Sequence, residues 1–293
     1  MKPAPFRYHA PSTLAEALDV LAEVADEGKV LAGGQSLIPI LSMRLAAPAH
    51  LVDINRLVGE LGGLSTDAHG VRVGALATHR AVEHDPDAAG ACPLLRQALR
   101  HVAHPVIRNR GTVVGSLAHA DPAGEMPAVL ALLGGTVEAA SVAGSRTIPA
   151  AEFFTGPLET SLAPGEMAVT AQFPVLPDRT GTAFVELARR HGDYAICGVA
   201  AMVSLDEAGA VGAARAAYVG LGGTPLVLDF TDDVSGAGAS GGADFSTAAA
   251  RATASVEPDA DIHATAEYRR HLAGVLTVRA LTAAADAAGG GRR

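Results

Sequence analysis

The chain has only two cysteines in 293 residues, Cys92 and Cys197, far apart and each alone. That excludes a disulfide framework and a CxxC metal site. Tryptophan is absent, aromatic residues make up 4% and charged residues 18%, and no dense run of lysine and arginine occurs. With 22 basic against 31 acidic residues the formal net charge is −9, so the long-range field opposes a polyanion and no nucleic-acid partner is expected. No stretch reaches the ~18 uninterrupted apolar residues of a membrane span. The opening Met1-Lys2-Pro3-Ala4-Pro5-Phe6-Arg7 has no apolar run behind its basic residues, so no secretory leader is expected and the chain reads as cytoplasmic. Around the Gly33-Gly34 pair neither the phosphate-loop pattern nor GxGxxG is present.

What is there describes a folded protein. Hydrophobic residues make up 49%, with 33 glycines and 17 prolines, which fits an alanine-rich globular chain. Its length is about twice the ~150-residue prior for one domain, so two or three packed units are expected. Leu14, Ala17, Leu18, Leu21 and Val24 recur at helical spacing. Thr13 and Glu16 form a capping box before them, and Gly28 is the expected stop. The run Val30-Leu31-Ala32, the turn Gly33-Gly34-Gln35-Ser36 and the apolar stretch Leu37 to Leu45 predict strand, turn and helix. Leu51 to Ile54 closes this small unit with another strand.

From Val71 the texture changes. Val71 to Ala75, Thr136 to Ala140, Arg146 to Pro149 and Met167 to Phe173 read as strands around helices at Pro93 to Val102 and Met126 to Leu133. Pro174 to Thr180 reads as a linker. Ala183 to Ala188, Ala195 to Leu205 and Val211 to Leu221 are three β-rich runs, the last two joined by a hairpin turn at Glu207-Ala208-Gly209. Ser235 to Ala243 is low-complexity, and Phe245 to Val256 and His263 to Ala287 carry helical periodicity. The tail from Gly289 is expected to fray.

Four segments carry candidate chemistry. In Leu31-Ala32-Gly33-Gly34-Gln35-Ser36-Leu37, paired glycines after a strand let the backbone approach a bulky anion such as a pyrophosphate. A Gly-Gly pair serves equally as an ordinary tight turn. The second segment, Arg108 to Glu125, is rich in small and hydroxyl residues, has little periodicity and reads as an irregular ligand cradle. Its His119, Asp121 and Glu125 are metal-ligand types, but Pro122 interrupts them, so capping and loop hydrogen bonds are preferred and no metal is expected. Gly238-Ala239-Ser240-Gly241-Gly242 satisfies GxSxG, yet the low-complexity loop supplies neither the strand nor the helix a nucleophile elbow needs. Arg189 to Ile196 is a polar turn entering an apolar strand, in which Tyr194 can pack on a planar ligand or simply be solvated.

In this order, these blocks resemble the FAD-binding medium subunit of the molybdenum-containing hydroxylases, the carbon monoxide dehydrogenase and xanthine dehydrogenase family. The match rests on Phe6-Arg7-Tyr8, Ala32-Gly33-Gly34-Gln35-Ser36-Leu37, Arg108-Asn109-Arg110-Gly111-Thr112-Val113-Val114-Gly115-Ser116 and His119-Ala120-Asp121-Pro122. It continues through Arg190-His191-Gly192-Asp193-Tyr194-Ala195, Gly220-Leu221-Gly222-Gly223-Thr224-Pro225 and Tyr268-Arg269-Arg270-His271-Leu272. The resemblance implies an α+β architecture: a two-part PCMH-type, vanillyl-alcohol-oxidase-like FAD-binding domain (1–56 and 57–176), then a small α+β C-terminal domain with an antiparallel sheet (182–287). It implies that Leu31, Ala32, Gly33, Gly34, Gln35, Ser36, Leu37 and Ile38, with Gly111, Thr112, Val113, Val114, Gly115 and Ser116, cradle the FAD pyrophosphate.

By the same resemblance Glu125 holds FAD hydroxyls, Tyr194 covers one face of the isoalloxazine and Asp193 shapes that turn. Two positions depart from the family pattern: Val114 stands where a second glycine is common, and Leu226-Val227 follow Thr224-Pro225 where an arginine is common. The implied activity is electron transfer by non-covalent FAD, with no catalytic acid or base in this chain. Molybdopterin and the iron–sulfur (2Fe-2S) clusters belong to a large and a small partner subunit, assembled as a dimer of heterotrimers. Two isolated cysteines agree, since such a cluster takes four protein ligands. The alternatives are a free-standing FAD-dependent oxidoreductase and a scaffold subunit that has lost flavin.

Overall fold

A computed structural model describes residues 2–234 and 243–290. The GxSxG match at Gly238 to Gly242 lies outside them. The chain begins with a three-stranded parallel sheet in which His50–Asp53 lies between Arg7–His9 and Gly28–Leu31. Thr13 caps the helix Leu14–Val24, its Oγ1 accepting from Glu16 N at 3.2 Å, while Glu16 Oε2 accepts from Ser12 N at 2.7 Å. Ala17, Leu18, Leu21 and Val24 form the buried face that the spacing predicts. The stop differs from expectation. Ala25 breaks the helix at φ 44°, and Gly28 instead opens the next strand in extended backbone.

A five-stranded antiparallel sheet follows, in the order Leu64–Asp67, Gly70–Gly74, Met167–Pro174, Thr136–Ser141 and Gly144–Pro149. Helices gather beside it, among them His79–His84, Pro93–Leu99, Val113–His119 and Glu125–Leu133. The expectation of irregular chain from Arg108 to Glu125 is corrected here. Val113–His119 is a helix of barely two turns that buries Val113, Val114 and Leu117, too short for its periodicity to stand out.

The third sheet is an antiparallel meander of Thr180–Ala188, Ala195–Leu205, Val211–Val219 and Leu226–Asp229. Its predicted hairpin is present: Gly209 takes φ 84° and Asp206 N donates to Ala210 O at 2.8 Å. One face is covered by Ser246–Ser255 and the long helix Ala266–Gly290, which runs through the predicted fraying point at Gly289. That helix is long and apolar enough to cross a bilayer, yet it buries Leu272, Leu276, Leu281 and even Arg269 against its own protein. The opposite face packs on helices of the preceding unit. Strand pleating places Ala183 on the long-helix side, while Phe184 joins the core of the preceding unit. On that second side the Phe184 ring lies tilted against His101, centroids 5.3 Å apart, and Thr182 exchanges hydrogen bonds of 3.0 and 3.2 Å with Gln97.

Candidate functional site

The two glycine segments, remote in sequence, touch in the fold. A Cβ on Gly33 would lie 2.1 Å from the Arg110 carbonyl oxygen and 2.8 Å from Gly111 Cα, so the turn fits against the second segment only as glycine. Hydrogen bonds hold this turn from behind. Gln35 Nε2 donates to Gly33 O at 2.9 Å, and Asn55 Nδ2 donates to Ala32 O at 2.9 Å and to Asp53 Oδ1 at 2.6 Å. Tyr8 Oη donates to Asp53 Oδ2 at 2.6 Å. Burial opposes the Asp53 charge, but the bonds from Tyr8 and Asn55 outweigh it and hold the carboxyl below its usual range. Ile38 N donates to Gly34 O at 3.0 Å, whereas the N–H groups of Gly33, Gly34, Gln35 and Ser36 donate to no acceptor among the described residues. Successive amides without a protein acceptor are the donor set an anion requires.

In the second segment Thr112 caps the helix Val113–His119, its Oγ1 accepting from Gly115 N at 3.1 Å. A Cβ on Gly115 would come within 2.5 Å of that hydroxyl, so the cap needs glycine there. Val114 faces the core and is 2% exposed. Its replacement of a glycine therefore fills the interior and leaves the exposed side of the turn unobstructed.

Glu125 opens the helix Glu125–Leu133, half-buried. Desolvation by the surrounding protein pushes its carboxyl up to about 7, and Asp121 adds to this while its own backbone N–H and Arg108 oppose it. Asp121 Oδ1 accepts from Ala123 N at 2.8 Å, and His119 Nε2 stands 3.9 Å from Asp121 Oδ2. Among the described residues no three His, Cys, Asp or Glu gather as a metal site. Gly220 N donates to Pro122 O at 2.9 Å, joining the third sheet to this loop. Asp193 is occupied by Arg190, at 3.1 and 3.4 Å. Tyr194 is 71% exposed. Desolvation of its hydroxyl, then the charges of Asp121 and Glu125, raise its pKa, which places the three groups in one electrostatic neighbourhood. In the Tyr268-Arg269-Arg270 block, Arg269 is a brace: it donates to Ile196 O, Gly220 O and Asp261 Oδ2.

Sequence reasoning passed over Asn55, His79 and Glu186. An acidic residue within the otherwise strand-forming run Ala183 to Ala188 is the signal for the last. Glu186 Oε2 is buried with no hydrogen-bond partner among the described residues, on the same side of its strand as Phe184. Desolvation, then the charge of Glu125, push its carboxyl up to about 8. The folded state thus holds this proton more tightly than the unfolded chain. The stability it contributes is full below about 4.5 and is lost as pH rises through about 8. In thermal melts Glu186→Gln is expected to remove part of the wild-type loss over that window, at most about 1.4 kcal/mol per pH unit. Parallel stability curves for the two proteins would refute the assignment.

Residues 4–176 match the family described as the FAD binding domain in molybdopterin dehydrogenase, and residues 182–284 match the CO dehydrogenase flavoprotein C-terminal domain. The chain is 39% identical over 284 residues to the 6-hydroxypseudooxynicotine dehydrogenase complex subunit alpha of Paenarthrobacter nicotinovorans, covering 97% of this chain and 96% of that one. Among solved structures, quinoline 2-oxidoreductase from Pseudomonas putida 86 contains a chain that is 40% identical with a TM-score of 0.90, covering 98% and 99%. Reconstituted CO dehydrogenase from Oligotropha carboxidovorans contains one that is 33% identical with a TM-score of 0.91, covering 98% and 100%.

Proposed function

The chain belongs to the FAD-carrying medium subunits of the molybdenum hydroxylases, and from that premise we propose that it is the electron-transfer subunit of a larger dehydrogenase. The observation that carries the reading is the Gly33 turn packed on Arg110-Gly111 with four amides that find no acceptor among the described residues. Bound there, FAD supplies one- and two-electron chemistry that no side chain can perform. The protein's work is to bind, orient and shield it.

In this reading Gly33 to Ser36 meet the pyrophosphate with N–H groups, and the segment Gly111 to Ser116 closes the other side. Glu125 accepts from ribityl or ribose hydroxyls. Tyr194 stands over the isoalloxazine, and Asp193 with Arg190 sets the turn that presents it. A large molybdopterin subunit oxidises the substrate and a small 2Fe-2S subunit relays the electrons, in a cytoplasmic dimer of heterotrimers. Substrate choice lies with the molybdenum subunit.

The test is an absorption spectrum of the purified chain, with chromatography of the cofactor released on denaturation. Flavin bands near ~450 nm and released FAD support the reading, and co-purification identifies the partners. A colourless chain that cannot be reconstituted with FAD overturns it and promotes the scaffold alternative. Tyr194→Ala is expected to keep FAD occupancy but to speed reoxidation by oxygen on the order of tenfold, equivalent to about 1.4 kcal/mol of lost shielding. Unchanged stopped-flow reoxidation would remove Tyr194 from that role.

A further inference from the structure

We propose that His79 is a positioning residue of the FAD cradle: the buried imidazole donates its Nε2–H to Ser116 Oγ, which frees the Ser116 hydroxyl hydrogen for a phosphate oxygen of the ligand. The inference rests on the reading that Gly111 to Ser116 holds the pyrophosphate. His79 opens the helix His79–His84 behind Thr78, whose Oγ1 accepts from Ala81 N at 3.1 Å. It is 3% exposed. Its backbone N–H donates to Gly111 O at 2.8 Å, and the neighbouring Thr78 pairs with Thr112 as an isolated bridge. The ring lies against the second glycine segment: a Cβ on Gly111 would stand 3.0 Å from His79 Nδ1 and 3.1 Å from Cε1. From there Nε2 reaches Ser116 Oγ at 2.9 Å.

The surroundings select the tautomer. Nδ1 is buried with no hydrogen-bond partner among the described residues. A neutral ring carries one N–H, and placing it on Nδ1 would bury an unsatisfied donor, whereas on Nε2 it meets an acceptor. Burial and the nearby Arg108 push the imidazole down to about 4, with the Thr112 backbone opposing them, while among the described residues Nε2 is paired with Ser116 Oγ and Nδ1 with nothing. The ring is therefore neutral at ordinary pH. A Ser116 oxygen that accepts from Nε2–H keeps its own hydrogen to donate. In the opposite tautomer Ser116 would spend that hydrogen on the ring, and the ligand would face lone pairs.

The experiment is a double-mutant cycle on the full chain stripped of flavin and titrated with FAD. Ser116→Ala and His79→Leu are each expected to weaken FAD binding about tenfold, the size of one well-made hydrogen bond to a charged acceptor. The double variant is expected to bind no more weakly than either alone, because both remove one contact. His79→Gln, which keeps an N–H in the Nε2 position, is expected to restore most of the affinity. The ¹⁵N shifts of His79 are expected to show a protonated Nε2 and a bare Nδ1. Additive losses in the cycle, or a protonated Nδ1, overturn the proposal while leaving the cradle reading intact. An unchanged affinity for Ser116→Ala overturns both this role and the place of Ser116 in the cradle. If His79→Leu does not fold, the imidazole shifts of the wild type and the affinity of His79→Gln still decide.

Discussion

Gly33→Ala is expected to purify without flavin, and Gly33→Val to do the same. The obstruction comes from Cβ alone: at 2.1 Å from the Arg110 carbonyl oxygen and 2.9 Å from its carbon, the first side-chain atom meets rigid backbone. Either the turn or Arg110-Gly111 must move, and both movements separate the two halves of the cradle. A forced shift of this kind costs about 1–3 kcal/mol in stability, so the variants fold while losing the site. Gly115→Ala acts differently, through the 2.5 Å approach of its Cβ to Thr112 Oγ1, and is expected to cost about 1 kcal/mol as a weakened cap. Gly59→Ala is the control, since nothing lies within 4 Å of its Cβ. Absorbance at ~450 nm per mole of protein reads all four variants. Full FAD occupancy in Gly33→Ala would refute the assignment of the cradle.

The parts of this fold that announce themselves in the sequence are those whose cause is local. Thr13, Glu16 and the stripe Ala17, Leu18, Leu21, Val24 specify the first helix within a dozen residues, and Gly209 marks its hairpin by the φ it adopts. The strands passed over are short or depend on distant partners. Arg7–His9 is three residues long and exists because His50–Asp53 lies beside it in parallel. Leu64–Asp67 has no apolar run and no fully buried residue, and in Leu226–Asp229 the apolar stretch is only three residues long with none fully buried.

The candidate site divides the same way. Gly33-Gly34 and Gly111 are visible as glycines, and family resemblance names them as a cradle, but the contact between them is a property of the packed chain. Val114 departs from the family pattern in sequence, but the direction of its side chain is set by the fold, and buried in the core it leaves the turn unobstructed. His79 carries no local signal and Glu186 only that of one acidic residue in a strand-forming run, because a lone polar residue acquires its meaning from what buries it.

Arg108 shows how the interior reaches the cradle, and Arg108→Met carries the largest expected loss of stability. Arg108 and Glu83 are each 8% exposed. Nε of the guanidinium donates to Glu83 Oε2 at 2.8 Å, and Nη2 reaches Glu83 Oε1 at 3.4 Å. Nη1 donates to the carbonyls of Val102 and Ala103 at 3.0 and 3.3 Å, fixing a turn in which Ala103 takes φ 43°. Methionine fills much of the space but leaves a buried carboxylate and two carbonyls without donors, a loss of about 3–5 kcal/mol. In a chain of this size, with an unfolding entropy of about 0.6 kcal/mol/K, that lowers the melting temperature by roughly 5–8 °C. The short helix Pro105–Arg108 leads directly through Asn109 and Arg110 to the backbone against which Gly33 packs. FAD affinity is therefore expected to fall with stability. Pairing the change with Glu83→Met tests the cause: if the loss comes from the stranded charge, the apolar pair recovers most of the melting temperature. FAD affinity recovers with it only if the turn at Ala103 holds without its guanidinium donor. A drop of less than about 2 °C in Arg108→Met alone would mean that the ion pair contributes little and that the cradle is supported from the Asn55 side.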